Sequence, residues 1–253
     1  MRLPADGAPP PVVTRPSAEF AGRAASLSAR PLAALVGFRA AIASACLAML
    51  FLVGAGVSGA LYPDRDWRGI EHWIATYSVW AMALPVVPSL LLTWAFVVLM
   101  ASIHVLAPVD KKVLSLVGLS FALLYATTLN VNYFVQLTFV RQNVLAGNGG
   151  AVALLAMENP QSLFWAIEFL GYGLQCLGAL IIAPLFGGWT RVFLLLTGAA
   201  GVLSLATPIL DLPFAALVLG GVAWQVGLPA AVCLLAHHFR AQAGTVTAAV
   251  AGD

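Results

Sequence analysis

Six stretches of this chain run for about twenty residues or more with almost no charge, and nothing else in the sequence restricts the fold as strongly. At a rise of about 1.5 Å per residue, a helix of that length crosses the roughly 30 Å of hydrocarbon in a bilayer. No water inside that layer can satisfy backbone N–H and C=O groups, so an unbroken apolar run of this kind has to close its hydrogen bonds within a helix. The runs lie at about 32–61, 73–106, 113–140, 162–186, 192–210 and 214–237. The expected fold is therefore all-α, a bundle of six transmembrane helices occupying residues 32–240.

Composition agrees. Of the residues, 61% are hydrophobic and 9% charged, against about 25% charged in soluble domains. The 12 Lys and Arg nearly balance the 10 Asp and Glu, which leaves no basic surface for nucleic acid. Cys46, Cys176 and Cys233 stand singly in apolar runs, without disulfide or zinc spacing, and read as small core residues. Residues 1–31, rich in Pro, Ala and Ser, read as a disordered cytoplasmic tail, and residues 241–253 as a short cytoplasmic tail. The first apolar run is longer than the core of a signal peptide, so it reads as a retained span.

Lys and Arg set the orientation. One side of a six-span chain holds Arg2, Arg15, Arg23, Arg30, Arg39, Lys111, Lys112, Arg191 and Arg240; the other holds only Arg65, Arg68 and Arg141. Cytoplasmic segments carry the basic excess, so both termini are expected in the cytoplasm. In the second run, Pro85 and Pro88 imply either a kink or a first part lying along the surface, with residues 73–82 on one or the other side of that choice. The long loop 142–161 begins with Gly147, Gly149 and Gly150 and continues into an apolar patch too short to cross, which is expected to fold back as a flap. Gly56 and Ala60, Gly171 and Gly178, and Gly198 with Gly201 are expected where helix backbones approach closely.

Two spans carry polar residues in helical register. Tyr125, Thr128, Asn132 and Gln136 share one face of the third span, and Gln161, Glu168, Tyr172 and Gln175 one face of the fourth. Glu168 is the carboxylate that lies well inside an apolar run, roughly 9 Å deep at helical rise. An acid there faces the bundle interior or a cavity and is a candidate functional residue. The competing reading is a protonated side chain that only ties two helices together. The ligand-binding candidates are thus Glu168, Asn132, Gln136, Tyr125, Thr128, Tyr172 and Gln175, in an outer-half pocket between the third and fourth spans.

Other motifs weigh less. Gly56-Val57-Ser58-Gly59 matches the short signature around the nucleophile of rhomboid-type intramembrane proteases, but a serine nucleophile needs a histidine base within reach. His104, His237 and His238 fall at the far ends of their helices and His72 in a loop, so packing glycines are the better reading. His237 and His238 point in different directions and lack further ligands, and no Walker, HExxH or dinucleotide fingerprint is present. No catalytic residue, metal or cofactor is assigned.

Ala107-Pro108-Val109-Asp110-Lys111-Lys112, then 132–138 (Asn-Tyr-Phe-Val-Gln-Leu-Thr) with Arg141, then Glu158-Asn159-Pro160 and Glu168 with Gly171-Tyr172, together resemble a family of uncharacterised prokaryotic multi-pass membrane proteins. The resemblance covers about residues 95–190 and implies a six-helix protein of the prokaryotic cytoplasmic membrane without assigned activity. Three functions are open on the sequence. The first is binding or transport of a small or amphipathic molecule or lipid. The second is an accessory subunit whose polar face meets a partner helix. The third is a lipid-modifying enzyme using Glu168 as acid or base.

Overall fold

The computed structural model describes residues 18–250, and among these every regular element is helical. Helix α1 (Ala18–Leu61) is followed by a short α2 (Ile70–Thr76) and by α3 (Val79–Leu106). α4 (Lys112–Val135) continues through a π-helical turn, Gln136–Val140, into α5 (Arg141–Leu145), and a single turn, α6 (Gly149–Val152), precedes α7 (Leu163–Ile182). α8 (Gly188–Leu210) and α9 (Phe214–Val222) follow, and a second π-helical turn, Ala223–Gly227, leads into α10 (Leu228–Val250). Six segments are long and apolar enough to cross a membrane: 30–61, 79–106, 109–145, 163–185, 188–210 and 214–243. The protein is a multi-pass membrane protein of six apolar helices. α1 begins within the stretch read as a tail, at Ala18, and α10 runs on to Val250; residues 1–17 and 251–253 lie outside the described residues.

The spans close into a ring. α1 packs on α3, α3 on α4, α4 on α7, α7 on α8, and α10 returns to both α8 and α1. Large apolar side chains such as Val57, Trp94, Phe134, Leu196 and Val226 face outward, the reverse of a soluble protein and the arrangement lipid favours. Polar side chains turn inward: Ser89, Thr93, Ser115, Asn132, Gln136 and Gln175 are all fully enclosed.

Prolines explain the α1–α3 seam. Pro85 and Pro88 lie inside α3 and have no N–H to donate, which frees the carbonyls of Ala81 and Leu84 four residues earlier. Ser58 Oγ donates to the Ala81 carbonyl at 2.6 Å, and Arg65 Nη1 donates to the same oxygen at 3.0 Å and to Ser58 Oγ at 2.9 Å. The Leu84 carbonyl faces Gly54, where any Cβ would collide with it. The break in the second apolar run falls earlier than either proline: α2 ends at Thr76, Tyr77 is extended, and Ser78 caps α3 by accepting from the Ala81 N–H at 3.4 Å. Residues 73–76 thus lie in a separate short helix, and the crossing starts at Val79.

The other connections follow equally local rules. Ser162 caps α7 through the Trp165 N–H at 3.0 Å. Asp211, with φ of 53°, ends α8 in the left-handed region, two residues ahead of Pro213. Lys112 donates to the carbonyls of His104 and Val105, and Lys111 to that of Pro184 at 2.8 Å, so this turn seals the ends of α3 and α7.

Some sequence expectations are corrected here. Gly171 abuts Leu129, Gly178 the Gly118 carbonyl, Gly198 the Leu180 backbone and Gly201 Cys176, as close packing requires. Gly56 is different: a Cβ there meets nothing within 4 Å, and Ala60 is exposed, because this face of α1 turns to lipid. Cys176 is buried, but Cys46 and Cys233 are exposed apolar-face residues and not part of the core.

Candidate functional site

The two polar stripes do face the interior, and α4 and α7 pack directly on each other. Their members do not form one pocket, however. Tyr125, Thr128 and Asn132 lie at successive heights along α4, with Gln136 one turn further on at the start of the π-helical turn, so the polar groups separate into three levels along the span.

At the level nearest the 142–162 loop, Asn132 and Gln136 bond backbone groups and each other, Gln136 Nε2 donating to Asn132 Oδ1 at 3.4 Å. Asn132 Nδ2 donates to the Phe164 carbonyl at 3.1 Å. Gln136 Nε2 donates to the Leu155 carbonyl at 2.7 Å, while its Oε1 accepts from the Met157 N–H at 3.2 Å. Two side chains of the third span, one from α4 and one from the π-helical turn, thereby fix the start of α7 and the segment before it. That segment packs back over the bundle as expected of a flap, with Val152 and Ala156 enclosed and Gly149 against Ile70 and Ile74 of α2. Asn159 shapes its turn by donating to the Ala153 carbonyl at 2.7 Å.

One level deeper, three hydroxyls from three helices converge beside the carboxylate. Tyr133 and Tyr172 hydroxyls are 2.8 Å apart, Ser89 Oγ is 3.0 Å from Tyr133 and 3.4 Å from Tyr172, and Tyr133 donates to Glu168 Oε1 at 3.4 Å. A consistent set of protons has Ser89 and Tyr172 donating to Tyr133, whose own proton goes to Glu168. The cluster is thus polarised toward the carboxylate and can hold a proton or a polar head group. Ser89 and Tyr133 were not among the sequence candidates. Thr128 lies half-buried and its methyl flanks Gly171, a packing position. Gln161 is exposed at the loop.

The third level holds Tyr125 and Gln175. Gln175 Oε1 accepts from Trp224 Nε1 at 2.7 Å, while its Nε2 and the Tyr125 hydroxyl are buried without a hydrogen-bond partner. Phe96 meets the Tyr125 ring edge-on at 5.8 Å.

Beside this level a cavity of about 300 Å³ opens between α7, α8 and α9, walled by Phe51, Phe169, Tyr172, Leu205, Leu217 and Trp224. Tyr172 and Trp224 meet edge-on at 4.8 Å and Phe51 meets Trp224 at 5.1 Å, so the walls are held by aromatic contacts. Four glycines line it: Gly173, Gly201 and Gly220 let the helices close on Leu205, Cys176 and Ser204, while Gly221 faces open space. The cavity expected between the third and fourth spans therefore sits on the opposite flank of α7. Of the seven candidate residues, Tyr172 is the one that lines it.

The protease-like motif has no base. Ser58 is engaged by Ala81 and Arg65, and His72 Nε2 is bonded to the Asp64 carbonyl at 2.8 Å. Among the described residues no group of three or more His, Cys, Asp or Glu could hold a metal ion. His238 bonds Gln242 at 2.9 Å.

No family model, curated protein or solved structure matches the chain.

Proposed function

We propose that the protein binds, and in doing so carries or presents, a small amphipathic molecule or lipid, whose apolar body lies in the aromatic cavity between α7, α8 and α9. The observation that carries this reading is the double membership of Tyr172, which lines the cavity and also hydrogen-bonds the Ser89–Tyr133–Glu168 cluster. An apolar chamber with a few convergent polar groups is the usual form of a small-molecule site. The volume of about 300 Å³ suits a chain or ring system of modest size.

The accessory-subunit reading needs a polar face left open for a partner. Here Asn132, Gln136 and Gln175 are closed off by the chain's own helices, which favours an internal site. An enzyme acting on lipid through Glu168 would need an activated nucleophile, and the groups around this carboxylate are phenols and a serine hydroxyl without a histidine.

In this reading both termini lie in the cytoplasm and the 142–161 loop outside, supported by the basic-residue count, in the prokaryotic cytoplasmic membrane that the resemblance implies. Reporter fusions at the C-terminus and in that loop test the orientation: equal signals would contradict it. For the ligand, solvent extraction of the purified protein followed by mass spectrometry should recover a molecule retained beyond bulk lipid. Gly221→Leu should abolish its retention, since Gly221 lines the chamber and a Cβ there meets no neighbour within 4 Å. Identical extracts from both proteins would refute the reading.

A further inference from the structure

A second polar site lies on the loop face, outside the spans. Arg65, Trp73, Thr76, Tyr77, Ser78 and Glu158 are among the residues enclosing a cavity of about 10 Å³, close to the volume that one water needs. Two polar atoms at this cavity are buried without a hydrogen-bond partner, Glu158 Oε2 and the Tyr77 hydroxyl. Orphans of this kind cost about 1–3 kcal/mol each when left dry. Arg65 does not compensate them by direct contact: its Nη1 is committed to Ser58 and Ala81, and the ion pair found among the described residues is Arg68–Asp64. A donor, an acceptor and a cation thus surround a space of one water, with Trp73 stacked edge-on against Tyr77 at 5.3 Å as its apolar wall.

We propose that this chamber is a water-and-proton site, in which Glu158 takes up a proton from the medium on the loop face. The titratable and charged groups around it come from several neighbouring elements: Arg65 from the loop after α1, the neutral phenol of Tyr77 from the α2–α3 break, and Arg141 from the start of α5 toward Tyr77. Burial pushes the Glu158 carboxyl up from its ordinary value, against the pull of its own backbone N–H and of Arg65. Burial, together with Glu158, raises Tyr77 to about 12, so the phenol keeps its proton and serves as donor throughout. The step is a simple uptake: one proton leaves the medium and one carboxylate becomes a neutral acid. That acid then has an O–H to give to the water or to Tyr77, and one buried negative charge on the loop face disappears. The site is independent of whether a lipid occupies the cavity on the far flank of α7.

Infrared titration of the full-length protein in detergent tests this without any ligand. The protonated-carboxyl band should contain a component that titrates above the range of exposed glutamates and is missing from Glu158→Gln, with unchanged helix content. Tyr77→Phe, which removes the donor and leaves the fold's apolar wall, should move that component further upward. Arg65→Gln should do likewise, because a cation that favours the charged form is lost. A Glu158→Gln spectrum that differs from wild type only in the ordinary carboxylate range would overturn the proposal. So would a component indifferent to both Tyr77→Phe and Arg65→Gln.

Discussion

Tyr133 on α4 and Tyr172 on α7 place their hydroxyls 2.8 Å apart, and each also reaches Ser89 on α3. That contact makes one junction of three helices and gives Glu168 its partner. In a bilayer such interhelical bonds contribute about 0.6–2 kcal/mol each, so the junction is both a structural tie and the polar end of the proposed site.

The consequence is a ranking of variants. Tyr133→Phe removes three contacts at once and should cost about 1–3 kcal/mol. Glu168→Leu leaves Tyr133 with Tyr172 and Ser89 and should cost about 0.6 kcal/mol. Glu168→Gln preserves an acceptor for Tyr133 and should be native-like. Melting in detergent checks the order, and a Glu168→Leu protein weaker than Tyr133→Phe would mean that Glu168 is the main tie.

Gln136 should behave as a latch for the loop. Gln136→Leu strips the partners from the Leu155 carbonyl and the Met157 N–H. Hydrogen exchange and proteolysis should rise over residues 153–160, with little change in α8 or α10. Gln136→Glu keeps the acceptor for Met157 and loses the donor to Leu155, so an intermediate increase is expected.

Two glycines in similar small-residue patterns should respond oppositely. Gly198→Ala drives a methyl to 2.9 Å from the backbone of Leu180 and should cost about 1–3 kcal/mol through overpacking. Gly56→Ala enters open space and should be neutral or slightly stabilising, since alanine is the better helix former. Equal effects in a melting comparison would mean that α1 packs on its Gly56 face.

The pH dependence of stability follows from Glu158. Its folded carboxyl titrates above the ordinary value, so between the two the native state holds more protons than the unfolded state. Stability contributed by this group is therefore complete below the unfolded value and is lost as pH rises through the folded one. Wild-type melting temperature should fall over that window, and Glu158→Gln should flatten this part of the profile. A wild-type profile rising across the window, unchanged in Glu158→Gln, would contradict the burial-driven shift.

The six spans were legible because a bilayer demands long apolar runs and tolerates little else. Glu168 and the inward stripes were legible for the same reason. Ser89 and Tyr133 were not. Tyr133 stands about 100° around the helix from Asn132, so a stripe drawn through Tyr125, Thr128, Asn132 and Gln136 passes it by, although α4 buries both faces. Ser89 is a lone hydroxyl beside Pro88, yet Thr93, four residues on and equally buried, marks the same face of α3 and could have pointed to it. The cavity was invisible because Gly173, Gly201 and Gly221 line it from three different helices, a relation that periodicity within one helix cannot express. The role of Ser58 was hidden for a similar reason: its partner is the carbonyl of Ala81, which only a proline four residues later, in a different helix, sets free.

The central claim is that the chamber beside Tyr172 selects an occupant from the surrounding membrane. A photoreactive benzophenone residue placed at Leu217, on the chamber wall, and in a second protein at Val131, exposed on the ring's exterior, compares the two environments directly. After illumination in native membranes, intact-mass spectra should show one dominant adduct at Leu217, lost in combination with Gly221→Leu, and a broad set of bulk-lipid adducts at Val131. The same broad set at both positions would show that ordinary lipid fills the chamber without selection, and the account would fail.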